Sequence, residues 1–86
     1  MRLNDPAKTR VRNRLRRIDG QLRGILEMLD DDRDCTEILT QLAAASRALD
    51  KAGLVMVAAG LEQCILAGDE GSADRARLEK VFLSLG

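Results

Sequence analysis

The sequence predicts an all-α chain of three helices that cannot close a core alone. Three observations predict it. Apolar residues recur at steps of three and four over two long stretches. No strand-like alternation occurs, and no Pro follows position 6. The 86 residues are 45% apolar, too many for disorder, yet Phe82 is their one aromatic side chain. A small Leu/Ile/Val/Ala chain of this kind suits helices that bury their stripes against a second copy. One domain spanning 1–86 is expected.

The first helix is expected over about 6–30, with Asp5 as N-cap and Pro6 in the first helical position. Val11, Leu15, Ile18, Leu22, Ile25 and Leu29 form its stripe. Gly20 and Gly24 lie on one face of it and would admit another backbone closely. "DDDRD" is a polar connection, and Asp34-Cys35-Thr36-Glu37 fits a capping box with Asp34 at N-cap and Glu37 at N3. The second helix runs over about 35–67, with Ile38, Leu42, Ala45, Leu49, Ala52, Met56 and Ala59 as its stripe. Ala-rich "LAAASRAL" favours close helix contact, and Gly68 supplies the stop. A third, short helix is expected over about 72–84. The first two form an αα-hairpin with one long apolar face left over. An antiparallel four-helix-bundle dimer would cover it.

Formal net charge is zero but unevenly spread. Residues 1–23 hold eight basic side chains against Asp5 and Asp19, and the remaining chain is acidic by the same margin. Arg10, Arg14 and Arg17 share one face of the first helix, and Arg12, Arg16 and Arg23 the adjoining one. A charge run is commonly a solvated face. Six arginines with one acidic neighbour, in a chain with no aromatic platform for stacking, fit the phosphates of duplex DNA better than single strands. The pattern is not a helix-turn-helix. No apolar run reaches the ~20 residues of a membrane span, and "MRLNDPAKTR" has no apolar signal segment. A cytoplasmic protein is therefore expected.

Cys35 and Cys64 are the two thiols, and there is no His. They lie 29 residues apart on one predicted helix, about 44 Å along its axis. They cannot meet within one chain. The same spacing is about eight full turns, so both project from nearly one face. Antiparallel pairing of two copies about an axis near Leu49 and Asp50 would set Cys35 of one against Cys64 of the other, twice per dimer. Both thiols are equally compatible with a plain role as small buried hydrophobes. Two thiols without His fall short of a zinc site, and no general base or phosphate loop supports an enzyme.

"RLRRIDGQLRGI", a Cys opening the next helix, then "LTQLAA" and "ALDKA" resemble the CsoR/RcnR/FrmR family of bacterial transcriptional repressors, over about residues 8–67. The resemblance implies an antiparallel bundle dimer that pairs into a flat tetramer and binds operator DNA without a helix-turn-helix. It places Arg14 and Lys51 on basic positions that contribute to operator binding, beside Arg10 and Arg17, and makes Glu79 a candidate supporting residue on the third helix. In the copper-sensing branch a Cys, a His and a Cys hold Cu(I). These positions fall on Cys35, Gly60 and Cys64, so one ligand is missing. The nickel and cobalt branch needs several His. The formaldehyde branch needs an N-terminal Pro or His, which Met1-Arg2 does not supply. The pattern that remains resembles the persulfide-sensing, CstR-like branch, in which reactive sulfur species join the thiols of two protomers by di- to polysulfide bridges and release the repressor from sulfur-detoxification genes. That expectation needs no metal or other cofactor. A Cu(I) repressor with a two-thiolate site at Cys35 and Cys64 is the first alternative, and a purely structural helical dimer the second. Its place at a helix start favours Cys35 as the attacking thiol, with Asp32, Asp34 and Glu37 opposing.

Overall fold

The computed structural model describes residues 1–85 and, among them, contains three α-helices and no strand. α1 spans Asp5–Asp30, α2 spans Cys35–Leu66 and α3 spans Ser72–Ser84. A short 3-10 turn, Gly68–Gly71, links the last two.

The helix ends follow local chemistry. Asn4, not Asp5, caps α1. Its side-chain oxygen accepts from the Ala7 N–H at 2.9 Å, which leaves Asp5 and Pro6 inside the first turn. Either residue is a competent cap, and a Pro near the helix start is compatible with both registers. α1 ends in a Schellman motif: the Arg33 N–H reaches the Met28 carbonyl and the Asp32 N–H that of Leu29. Asp32 takes the left-handed position usually given to Gly, with φ 52°. The expected capping box at α2 is half formed. Asp34 accepts from the Thr36 N–H at 3.0 Å, but Glu37 turns away to accept from Arg33 at 2.7 Å. Hydrogen bonding from Thr36, its side chain first and its backbone second, holds the Asp34 carboxyl below the ordinary carboxylate range. α2 stops where expected, with Gly68 just past its end at φ +64°.

α1 and α2 pack side by side as an antiparallel hairpin. The seam between them is a strict seven-residue repeat on both sides: Val11, Ile18 and Ile25 are buried on α1, and Ala45, Ala52 and Ala59 on α2. Branched side chains face methyl groups, so the two axes approach closely. The expected single stripe on each helix is thereby divided. Leu15, Leu22 and Leu29 on α1, with Leu42, Leu49 and Met56 on α2, repeat with the same period but remain exposed. Within the chain, no backbone approaches Gly20 or Gly24, since a Cβ at either would meet nothing within 4 Å. α3 folds back over the end of α2 and buries no side chain fully.

The result is thin. The principal extents are 55 × 25 × 12 Å, so the molecule is one helix thick in its smallest dimension. Its radius of gyration is 16.6 Å, against about 12 Å for a compact chain of this length.

Candidate functional site

The two cysteines stand in different surroundings. Cys35 is the first residue of α2 and is exposed. Cys64, near the other end of that helix, is only 4% exposed. The helix between them keeps them apart within one protomer, by about 44 Å at the α-helical rise.

What covers Cys64 is the N-terminal segment. Antiparallel pairing of α1 and α2 brings the residues before α1 to the end of α2. There the Met1 Sδ lies 3.4 Å from Cys64 Sγ. The Met1 ammonium pairs with Asp74 Oδ2 at 3.0 Å, and the other oxygen of Asp74 accepts from Arg77 at 2.6 Å. The ammonium, as hydrogen-bond donor first and as charge second, together with Arg77, holds the Asp74 carboxyl below the ordinary carboxylate range. Gly60, one turn before Cys64 and itself buried, makes room for this arrangement. A Cβ there would sit 3.2 Å from Met1 Sδ and 3.3 Å from a Leu78 methyl. Gly71 closes the far side. It rests so closely on the Cys64 backbone carbonyl that any side chain would collide with it.

Sequence reasoning reaches Cys64 and Gly60 but not Met1 or Asp74. The available signal was topological: in an antiparallel hairpin, the chain entering the first helix must pass the end of the second. Glu79, the expected supporting residue, is exposed and makes no hydrogen bond among the described residues. It borders a groove with Val57, Leu61, Leu78 and Phe82. Asp74 is the acidic residue of α3 that reaches the Cys64 end.

The basic residues of α1 divide between two flanks. Arg14 and Arg17 line a groove with Ile18, Gln21 and Ala48 of α2. Lys51 is exposed one turn beyond Ala48. Arg10 is exposed one turn before Arg14 on α1. Lys8, Arg12 and Arg16 border the opposite flank with Leu3 and Leu15. Among the described residues, no carboxylate pairs with Arg10, Arg12, Arg14, Arg16 or Arg17; Asp19 pairs with Arg23 instead. Five guanidinium groups are thus free for an anionic partner.

A family model described as "Metal-sensitive transcriptional repressor" matches residues 7–84. The chain belongs to the metal-sensitive transcriptional repressor family. Among its relatives, the copper-sensing transcriptional repressor RicR of Mycobacterium tuberculosis (strain ATCC 25618 / H37Rv) is 38% identical over 58 residues, 67% of this chain and 60% of that one. The copper-sensing transcriptional repressor CsoR of Bacillus subtilis (strain 168) is 38% identical over a stretch of the same length, 57% of its own chain. The matched stretch therefore spans less than two thirds of either relative. A solved structure, the nickel-responsive transcriptional regulator InrS, shares the fold with a TM-score of 0.76 and 30% identity, covering 91% of each chain. These family members are named as transcriptional regulators, not enzymes.

The donor chemistry at the Cys64 end is soft sulfur, from the Cys64 thiol and the Met1 thioether. Thiolate and thioether ligands select Cu(I) over harder cations. Among the described residues, no three of His, Cys, Asp and Glu converge in a way that could hold a metal. A metal held at Cys64 would therefore require donors of another kind or from another copy. No helix of the described chain is long and apolar enough to cross a membrane.

Proposed function

We propose that this chain is an operator-binding repressor, released from DNA when Cu(I) is captured between Cys35 of one copy and Cys64 of another. The main support is the sulfur pairing at the end of α2. Cys64 is buried against a thioether, the chain has no imidazole, and the carboxylate that reaches this end, Asp74, is paired with the Met1 ammonium and Arg77. The copper-sensing names of the relatives point the same way and reverse the order of preference reached from the motif alone.

The assembly that this reading needs is a dimer built on the exposed repeat of Leu15, Leu22, Leu29, Leu42, Leu49 and Met56. Full burial of a side chain of this size is worth roughly 1.5–3 kcal/mol, and each of the six has about half of its surface left to bury. A face of six supplies the cohesion that a layer one helix thick lacks. A two-fold axis near Leu49 and Asp50 sets Cys35 against Cys64 of the second copy, and two such dimers pair into the tetramer. Cys35 of one copy and Cys64 of the other would hold Cu(I), which when bound would supply a soft-acid link between their sulfurs. Cys35 and Cys64 give up their protons to become ligands, and Gly71 holds the Cys64 backbone while they do so. Arg10, Arg14, Arg17 and Lys51 bind operator phosphates from α1 and the adjoining turn of α2.

Gly60 favours a second reading, because no imidazole stands one turn from Cys64. Under it the signal is a persulfide. Cys35 takes its outer sulfur and expels the carrier thiolate. Cys64 of the second copy then attacks that new persulfide and expels hydrosulfide, leaving a disulfide. Intact mass after anaerobic Cu(I) or persulfide, with operator affinity measured on the same samples, separates the two. Copper retention with loss of DNA binding is expected; covalent dimers that alone lose DNA would move the assignment to sulfur sensing. For the DNA surface, Arg14→Ala should weaken operator binding and lower the magnitude of the slope of log K against log salt by about 0.9 for each copy whose Arg14 meets a phosphate. An unchanged slope would move the DNA face off α1.

A further inference from the structure

We propose that the Met1 thioether is a third sulfur donor of the Cu(I) site, paired with Cys64 on the same protomer. The inference rests on the copper reading above and adds a ligand to it. Three observations carry it. Met1 Sδ lies 3.4 Å from Cys64 Sγ, although 63 residues separate them. The space it occupies is the space that a side chain at position 60 would fill: a Cβ on Gly60 would be 3.2 Å from the sulfur. The segment carrying it is fastened, since the Met1 ammonium pairs with Asp74 at 3.0 Å.

A weak S–H···S contact is all that packing requires of such a pair. Metal ligation asks little more. Two sulfurs bound to one ion at about 2.3 Å, with angles between tetrahedral and trigonal, stand about 3.8–4 Å apart. The pair needs to open by about half an ångström, within reach of a flexible Met side chain. On binding, the Cys64 thiol releases its proton to solvent and the thioether ligates unchanged. The thioether adds softness without charge. It is also useless to a sulfur-transfer mechanism, because it cannot form a bridge. Cys35 of a second copy would complete a three-sulfur set.

The test is Met1→Leu, produced behind a fusion partner whose protease leaves Leu as the first residue and checked by intact mass. Anaerobic competition with a Cu(I) chelator reads affinity, and X-ray absorption at the copper edge counts sulfur neighbours. Native protein should show three sulfurs. Met1→Leu should show two and bind at least ~10-fold more weakly, the lower end of what loss of a single supporting group costs a metal site. A measurement on the native fold needs no substitution at all: in selenomethionine-labelled protein, one of the three selenium atoms should have copper as a direct neighbour. Native Cu(I) binding, with affinity and sulfur count unchanged in Met1→Leu and no copper at the selenium edge, overturns this inference alone. A native chain that takes up no Cu(I) overturns the copper reading and this inference with it.

Discussion

Two apolar seams run along the helical hairpin with the same seven-residue period, and they behave oppositely. The inner seam sets Val11, Ile18 and Ile25 against Ala45, Ala52 and Ala59, and every one of these residues is buried. The outer seam holds Leu15, Leu22 and Leu29 beside Leu42, Leu49 and Met56, and all six stay exposed. Periodicity is identical, so size decides. Methyl groups let two backbones close up within one chain. Leucines on both helices hold the surface open for a partner with knobs of its own. The inner seam folds the chain; the outer one is the face that the proposed assembly would use.

The sharpest way to break this contrast is a charge on the outer seam. Leu49→Glu, at a residue now 53% exposed, should cost the isolated hairpin little. In an assembly it would bury an unpaired carboxylate, a penalty of several kcal/mol and so roughly a hundredfold or more in association. Sedimentation velocity should show the loss of oligomer, and circular dichroism a helicity that now depends on concentration. An oligomer as tight as the native one would place the interface elsewhere. Next comes the inner seam. Ile18→Ala should cost about 2–5 kcal/mol by transfer and cavity terms, measured by chemical denaturation, with the oligomeric state unchanged at native concentrations. A change in stoichiometry would mean that the two seams are not separate. The smallest effect belongs to the turn that brings the helices together. Asp34→Ala removes the α2 cap and should lower stability modestly at neutral pH. A carboxyl held below its ordinary range contributes stability in full above the unfolded value, near 3.9 for Asp, and loses it as pH falls through the folded value. The gap between native and Asp34→Ala melting curves should therefore close under acid. A gap that persists there would assign the effect to something other than the charged cap.

Much of this was legible in advance, for physical reasons that also explain the rest. Three helices within a residue of their observed ends follow from the apolar steps, Asp34 and Gly68, because caps are local. The division of each stripe into two seams was not legible. Val11 and Leu15 differ by about 40° around the helix, and both are apolar. Only the run of Ala on the opposing helix distinguishes the inner side. The Asn4 cap was missed because Asn4 and Asp5 are adjacent residues of equal capping power. At the site, the phase of Cys35 and Cys64 is a matter of counting. The thioether beside Cys64 is not, because Met1 lies outside any helix and the partner of its ammonium, Asp74, lies in the last helix.

An alanine seam is also a smooth one. Ala45, Ala52 and Ala59 offer shallow hollows, so the branched residues of α1 are not keyed into deep sockets. Small translation along the axis then requires few side chains to change rotamer, the condition under which packed helices shear instead of hinging. α1 carries the free arginines, while α2 carries both thiols at its ends. Under the proposed function, the first helix would be the slide and the second the rail. A tether that repositions the rail's ends would be read out as displacement of the guanidinium row relative to the spacing of the phosphates.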